Sequence, residues 1–468
     1  MALLNLIRQP LTRVGALALA LTTLLLTAAG APRPVHAAGI VVNTLADANP
    51  PATDGLCSLR EAITNANTNA ATYPDCPAGA GADAITFSVS GTIVLAAALP
   101  DITDGAALTI DGNGQSLTVS GNKAVRPFAV AFEATLTLTS VSIIQGKDSI
   151  HAGALENSGT THLIGGGVSE SSGGVFGAAV NNAGIMTVRS SSIANNTSSD
   201  IASSGGIYNT GALLLLSSTI SGNSGTLSGG IRNSNSLLIM NSTVSGNSAG
   251  ESNAPGAIDN VYNLSIIHST ITDNKGGYNG VGGIRNSGTL TIVNSIVAKN
   301  YGQGEAQDCE GPWITTGPNL VGLLSPGCQV TGPSPITGDP VLGPLLANGG
   351  PTRTHAPLPP SPALDKGDLG VCTAQPVASL DQQGRPRPLG GGCDLGAFEV
   401  DPSVPVLSVV GPTHVEGDAG TSVMDFVLSL STPPTTTVTV HYLTRDGTAL
   451  SGQDYVAHPS TNLQFTLA

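Results

Sequence analysis

Gly205-Gly206-Ile207-Tyr208-Asn209, Gly229-Gly230-Ile231-Arg232-Asn233, Gly256-Ala257-Ile258-Asp259-Asn260 and Gly282-Gly283-Ile284-Arg285-Asn286 are copies of one pentapeptide. Two weaker copies precede them, Gly153-Ala154-Leu155-Glu156-Asn157 and Ala178-Ala179-Val180-Asn181-Asn182. Their aliphatic positions, Leu155, Val180, Ile207, Ile231, Ile258 and Ile284, are spaced 25, 27, 24, 27 and 26 residues apart. A second motif, as in Ser217-Ser218-Thr219-Ile220-Ser221-Gly222-Asn223, places Val168, Ile193, Ile220, Val244, Ile271 and Val297 each 13 residues after its partner. All variation in length falls in one segment per repeat. A fixed core with one variable loop is the pattern of a solenoid.

The unit is built from strands. Leu213–Leu216, Leu237–Met240 and Leu290–Val293 are short aliphatic runs bounded by Gly, Ser and Asn, which reads as strand. A helical repeat needs two Gly-free runs of ten or more residues, and none occurs. Three short strands in about 25 residues form one coil of a parallel β-helix, with coils stacked about 4.8 Å apart. Asn157, Asn182, Asn209, Asn233, Asn260 and Asn286 then form one column, and Asn196, Asn223, Asn247, Asn274 and Asn300 another. An amide both donates and accepts, so each column can bond to itself along the axis. Asn also suits a left-handed corner. Around Ile85, Leu108 and Leu136 lie less regular coils, and after Tyr301 the repeat stops and Pro rises.

Composition narrows the class. Gly is 60 of 468 residues, aromatics are 3% and charged residues 10%, against about 25% charged in ordinary domains. Hydrophobic residues reach 40%, too many for a disordered chain. The net charge of −14 argues against nucleic acid and anionic membranes as partners. Arg8 and Arg13 precede an apolar run, Val14 to Ala31, and Val35-His36-Ala37 follows. That is the order of a secretory leader, and no later run is comparable, so no membrane insertion of the mature protein is expected. The six cysteines, Cys57, Cys76, Cys309, Cys328, Cys372 and Cys393, fall in three close pairs. In an exported chain these are expected to be the disulfides Cys57–Cys76, Cys309–Cys328 and Cys372–Cys393.

Ser58 followed by Glu61 in Cys57-Ser58-Leu59-Arg60-Glu61-Ala62-Ile63 is a capping box opening a short helix. Such a helix can plug the exposed end of a solenoid. A catalytic Arg60–Glu61 pair is the weaker reading, because the cap already accounts for Ser58 and Glu61. The stretch Cys57–Ile63 also resembles the signature of bacterial CSLREA-type β-helix proteins. Gln307–Cys309, Gly317–Val321, Asp339–Leu345, Asn348–Thr352, His355, Ser361–Asp365, Asp381–Arg387 and Cys393–Glu399 resemble the choice-of-anchor Q family of secreted and surface proteins. Together with the repeats, the likeness spans roughly residues 40 to 400. It implies an all-β, right-handed parallel β-helix displayed outside the cell, and it brings no catalytic residues.

Val415–Asp418, Val438–Tyr442, Asp446–Ala449, Gly452–Tyr455 and Leu463–Phe465 resemble a Calx-beta domain, a β-sandwich that in some cases binds Ca²⁺. By position Glu416, Asp446 and Asp454 are the candidate ligands, suited to an oxygen-seeking ion. Only some 60 residues of a sandwich of about 100 are present. No other cofactor is called for.

The expected organisation is a leader over 1–37, a cap and irregular coils over 38–150, regular coils over 151–300, a disulfide-bearing continuation over 301–400, a linker over 401–405 and a partial β-sandwich over 406–468. A polysaccharide lyase or glycoside hydrolase needs neighbouring carboxylates. The acids of the regular coils, Glu156, Glu170, Asp200, Glu251, Asp259 and Asp273, occupy different phases of the repeat and are not expected to stack. One outward row aligns: Glu156, Asn181, Tyr208, Arg232, Asp259, Arg285. Tyr208, Arg232, Asp259 and Arg285 are its candidate binding residues, otherwise a solvated ladder of alternating charge. The variable loop at Gly250–Pro255 and its counterparts is the other expected binding surface. The functional expectation is a monomeric, non-enzymatic surface protein, structural, adhesive or binding a polysaccharide. The alternatives are the carbohydrate-active enzyme and a Ca²⁺-binding Calx-beta module.

Overall fold

The computed structural model describes residues 39–466 apart from 52, 113, 199, 201, 202, 303, 304, 406, 411–422, 431–436, 447 and 448. The leader expected over 1–37 and the candidate ligand Glu416 lie outside the described residues. The chain forms two compact units: one runs to Pro357 and resumes over Ser361–Glu399, and the other comprises Leu358–Pro360 and Val400–Ala468.

Parallel stacking of short strands makes the first unit a β-solenoid. One regular coil contains strands Ile207–Asn209, Ala212–Leu216 and Thr219–Ser221, with a two-residue strand at Ser224–Gly225. Leu155, Val180, Ile207, Ile231, Ile258 and Ile284 pair in register, coil on coil. So do Val168, Ile193, Ile220, Val244, Ile271 and Val297. All twelve are buried in one continuous core. Close approach of coils dictates the leading glycine of the pentapeptide, since a Cβ on Gly229 would sit 2.3 Å from the Gly256 carbonyl oxygen.

The solenoid extends beyond the regular repeats in both directions. Upstream, Ile85, Ile110 and Leu138 stack as expected. Downstream, where the repeat motif stops, strands Cys309–Thr315 and Cys328–Thr331 continue the stack. Cys309, Trp313 and Val321 fill the core there in place of the missing isoleucines. The sheet containing Thr219–Ser221 has eleven strands in all, from Gly91–Val94 to Ile336–Thr337.

Three polar columns line the corners. Asn157 Nδ2 donates to Asn182 Oδ1, and the relay runs through Asn209, Asn233 and Asn260 to Asn286 at 2.6–2.7 Å. Asn196, Asn223, Asn247, Asn274 and Asn300 repeat it at 2.8–2.9 Å. Asp308 ends this second relay by accepting from Asn300 at 2.9 Å, and burial pushes its carboxyl up from the usual range. The third column was not anticipated: the main-chain N–H groups of Ser191, Ser218, Ser242 and Ser269 each donate to the next coil's serine Oγ at 3.1–3.2 Å. The left-handed backbone expected at the asparagine columns is found beside the second column alone and lies one residue earlier, at Asn195 (φ 57°), Gly222 (φ 63°), Gly246 (φ 65°) and Asp273 (φ 57°). In that column the asparagine side chains turn into the coil and the preceding residues make the corner.

Of the two helices among the described residues, Leu59–Thr68 begins at the expected capping box, with Ser58 and Glu61 bonded reciprocally. Leu59, Ala62, Ile63 and Ala66 join the same core as Ile40, Val42 and Ile85. Arg60 is engaged structurally, held by Asp47 at 2.8 Å and by the Ala97 and Ala98 carbonyls. All three expected disulfides are present. In the second unit, Leu407–Val410 pairs antiparallel with Val427–Leu430, and Val438–Tyr442 with Thr461–Phe465.

After its last coil the first unit's chain returns along the solenoid. Asn241 and Thr243 bond to Leu380 and Gln382, and Thr219 to the Arg353 carbonyl. Val377 packs on the outward Leu214, Leu216 and Met240, so the Leu213–Leu216 run is apolar throughout because both its faces are covered. Arg387 and Glu399 form a fully buried pair at 2.9 Å within this segment.

Replacing Asn233 by Ala removes the buried donor to Asn260 Oδ1 and one of the three acceptors of Asn209 Nδ2. The expected loss is about 2–4 kcal/mol of unfolding free energy in denaturant melts. Exposed Thr210→Ala should cost less than about 0.5 kcal/mol. Equal effects for the two variants would show that the ladder contributes nothing special.

Candidate functional site: a groove along the short-strand sheet

In the middle of the eleven-stranded sheet, strands Gly167–Ser169, Ser192–Ala194, Thr219–Ser221, Thr243–Ser245 and Thr270–Thr272 each place one aliphatic residue inward and two small residues outward. The outward residues include Thr92, Thr118, Ser142, Gly167 and Ser192 on one side of the inward column, and Ser169, Ala194, Ser221 and Ser245 on the other. Because these side chains are small, the face is a trough. Two hollows of about 580 and 420 Å³ meet at Ser192 and Ala194 and together run from Thr92 to Asp273. Eight strands at 4.8 Å give the trough a length of about 34 Å.

The returning segment forms a wall along the later coils. Thr219 Oγ1 donates to the Arg353 carbonyl at 2.6 Å, Thr243 Oγ1 to Gln382 Oε1 at 2.7 Å, and Ala397 N donates to Thr270 Oγ1 at 3.0 Å. The Thr of the repeated Ser-Thr-aliphatic motif is thus consumed in fastening the wall. At the walled end the lining comprises Ser192, Ala194, Asn195, Ser221, Gly222, Ser245, Gly246 and Asp273 from the solenoid, faced by Pro344, Leu345, Arg353 and His355.

His355 is clasped from both sides. Nδ1 lies 2.7 Å from the Gly343 carbonyl and Nε2 lies 2.8 Å from Ser245 Oγ, with Asp273 Oδ2 at 3.8 Å. A carbonyl can only accept, so Nδ1 carries the proton. Burial lowers the His355 pKa, against the Gly343 bond and the Asp273 charge, which both raise it. The neutral ring therefore accepts at Nε2 from the Ser245 hydroxyl.

The sequence-derived row lies elsewhere, on the sheet containing Ile207–Asn209, and its members do not converge on the groove. Glu156, Asn181, Tyr208, Arg232, Asp259 and Arg285 are register neighbours as expected. Their charges are spent internally. Asp259 is 2% exposed and bridges Arg232 at 2.5 Å and Arg285 at 2.9 Å, while Arg285 also reaches the Asn253 carbonyl on the variable loop. Tyr208 packs edge-on against Phe176, with centroids 5.8 Å apart. A solvated ladder is the wrong description for the Asp259 end, because the loop covers it.

The acids need one further correction. Glu170 and Asp273 share a phase, since each follows an outward residue of the same register column. Four coils, about 19 Å, separate them. Paired carboxylates of glycoside hydrolases stand about 5–9.5 Å apart. Asp273 is the one carboxylate among the lining residues. In the second unit, Asp446 Oδ1 accepts from Ser451 N and the Tyr455 hydroxyl at 2.7 and 2.8 Å, and Asp454 Oδ2 from Leu450 N at 2.7 Å. These bonds, Tyr455 first, hold Asp446 below the usual carboxylate range. Among the described residues no three His, Cys, Asp or Glu side chains gather as a metal site.

The histidine clasp makes a pH test possible. A His whose folded pKa is depressed contributes stability above its ordinary 6.5 that is lost as pH falls. Glu399, pushed up by burial to about 7 despite Arg387, has the opposite sign, with stability present below its ordinary 4.5 and lost as pH rises toward 7. The informative measurement is therefore a difference between variants. His355→Gln should lower the value of Tm at pH 7.5 minus Tm at pH 5 relative to the unaltered protein. Parallel Tm–pH curves would refute the neutral clasp.

No family model, curated protein or solved structure matches this chain, so the family resemblances rest on the quoted motifs alone.

Proposed function

We propose that this is an exported, cell-surface scaffold protein that holds an extended polysaccharide along its groove. The observation that carries the reading is the trough itself, about 34 Å long, floored by hydroxyls and glycine and walled at one end. A polymer lying along the axis meets a similar polar floor every 4.8 Å, which suits a repeating ligand better than a compact one. Three disulfides support an oxidising compartment, and among the described residues no helix is long and apolar enough to cross a membrane. On this reading the helix Leu59–Thr68 is the cap of a right-handed solenoid. The antiparallel pairs from Leu407 onward are part of a β-sandwich whose ion would be Ca²⁺, and the protein acts as a monomer.

A carbohydrate-active enzyme is the second reading, favoured by one observation: Asp273 stands beside His355 in the groove. Affinity electrophoresis in polysaccharide gels, paired with a reducing-end assay, separates the two. Retardation without turnover is expected, and Ser142→Arg, which fills the open part of the trough, should weaken retention at least tenfold. Turnover that disappears in Asp273→Asn would replace the scaffold with an enzyme.

A further inference from the structure

We infer that the walled end of the groove is a subsite for an uncharged pyranose unit bearing neighbouring hydroxyls, recognised by Asp273, Arg353 and Asn195. This deepens the polysaccharide reading and rests on it. Elsewhere the trough offers hydroxyls and backbone. At this end three stronger hydrogen-bonding groups converge on one hollow, and each is left with capacity to spare.

The Arg353 guanidinium has no hydrogen bond or ion pair among the described residues, although its own carbonyl is pinned by Thr219 Oγ1 at 2.6 Å and Gln382 Nε2 at 3.2 Å. Its backbone is fixed while its five donors remain unspent. Asp273 has only the 3.8 Å approach of His355 and is half exposed. Asn195 lies across Gly222, where a Cβ would come within 2.5 Å of its Oδ1, and its amide has no partner among the described residues. One group accepts, one donates and one does both. A pair of adjacent sugar hydroxyls asks for this combination, because each hydroxyl donates once and accepts as well. Leu345 and Pro344 on the opposite wall offer apolar surface to the ring's C–H face.

Charge chooses among sugars. One carboxylate and one guanidinium balance within the hollow, so the ligand needs no net charge. The chain carries −14 overall, which opposes approach of a polyuronate. His355 and Ser245 serve as positioning residues: their bond ties the wall bearing Arg353 to the floor, two residues away along the chain.

The test is calorimetry on the full chain with gluco-, manno- and xylo-tetraose, and with tetragalacturonate as the charged comparison. At least one neutral tetramer should bind. Asp273→Asn and Arg353→Gln should each weaken it about tenfold or more, as loss of a hydrogen bond to a charged group does. Thr210→Ala, exposed and outside the lining of the groove, should leave binding unchanged. Preference for tetragalacturonate, or neutral binding indifferent to both substitutions, overturns the subsite. If Ser142→Arg still weakens retention of a long polymer in that case, the groove reading survives without the subsite. Loss of binding to every sugar and every polymer overturns both.

Discussion

Parallel coils can stack only if the corners between their strands are dry and still satisfied. A coil every 4.8 Å leaves no room for water between successive turns, and an unpaired polar group buried there costs about 1–3 kcal/mol. The chain meets this constraint with three side-chain columns whose spacing equals the coil repeat. Asparagine serves where a corner needs both donor and acceptor. Serine serves where a main-chain N–H of the preceding coil must be received and a hydroxyl can in turn donate to nearby main-chain carbonyls. The columns must also end. Asn286 is taken up by the Pro312 carbonyl and Asn300 by Asp308, so the final coils after Tyr301 are needed to close ladders begun some 150 residues earlier, at Asn157.

That constraint explains what could be read in advance. The constant 13-residue step between the two aliphatic columns is a statement of strand register, and both columns stack as expected. The asparagine columns were legible for the same reason. The serine column is not legible although Ser218, Ser242 and Ser269 each precede the Thr-aliphatic pair of the second motif, because serine in a turn is common and carries no mark of a ladder. The left-handed corner sits one residue before the second asparagine column and is absent beside the first, which the sequence hides because Asn is favoured both at such corners and in the ladder. In the row from Glu156 to Arg285 the alternation of sign was visible, but the burial of Asp259 was not. Burial depends on a loop whose length and conformation vary from coil to coil.

The groove was the least legible part, because its wall comes from far along the chain. Thr219 meets Arg353 across 134 residues and Gln382 across 163, and local periodicity does not encode such contacts. One trace remains: the Leu213–Leu216 run is apolar on both faces, which implies that something covers it. His355 stood among the motif residues with no chemistry attached until Ser245 and Gly343 were beside it.

The returning segment also changes what the repeated face can do. A bare array of outward Thr, Ser and Gly is uniform along the axis and has no reason to prefer one site. By fastening onto Thr219, Thr243 and Thr270, the segment removes the later hydroxyls from the surface and supplies Arg353, Leu345 and His355 instead. Its own hold depends on the Arg387–Glu399 pair, where Arg387 also caps the Asp394 and Gly396 carbonyls and Glu399 accepts from two main-chain N–H groups. Breaking one member of such a buried pair leaves the other charge uncompensated. The asymmetry of the groove, open and uniform over one half and walled and polar at the other, therefore depends on an ion pair that does not line it.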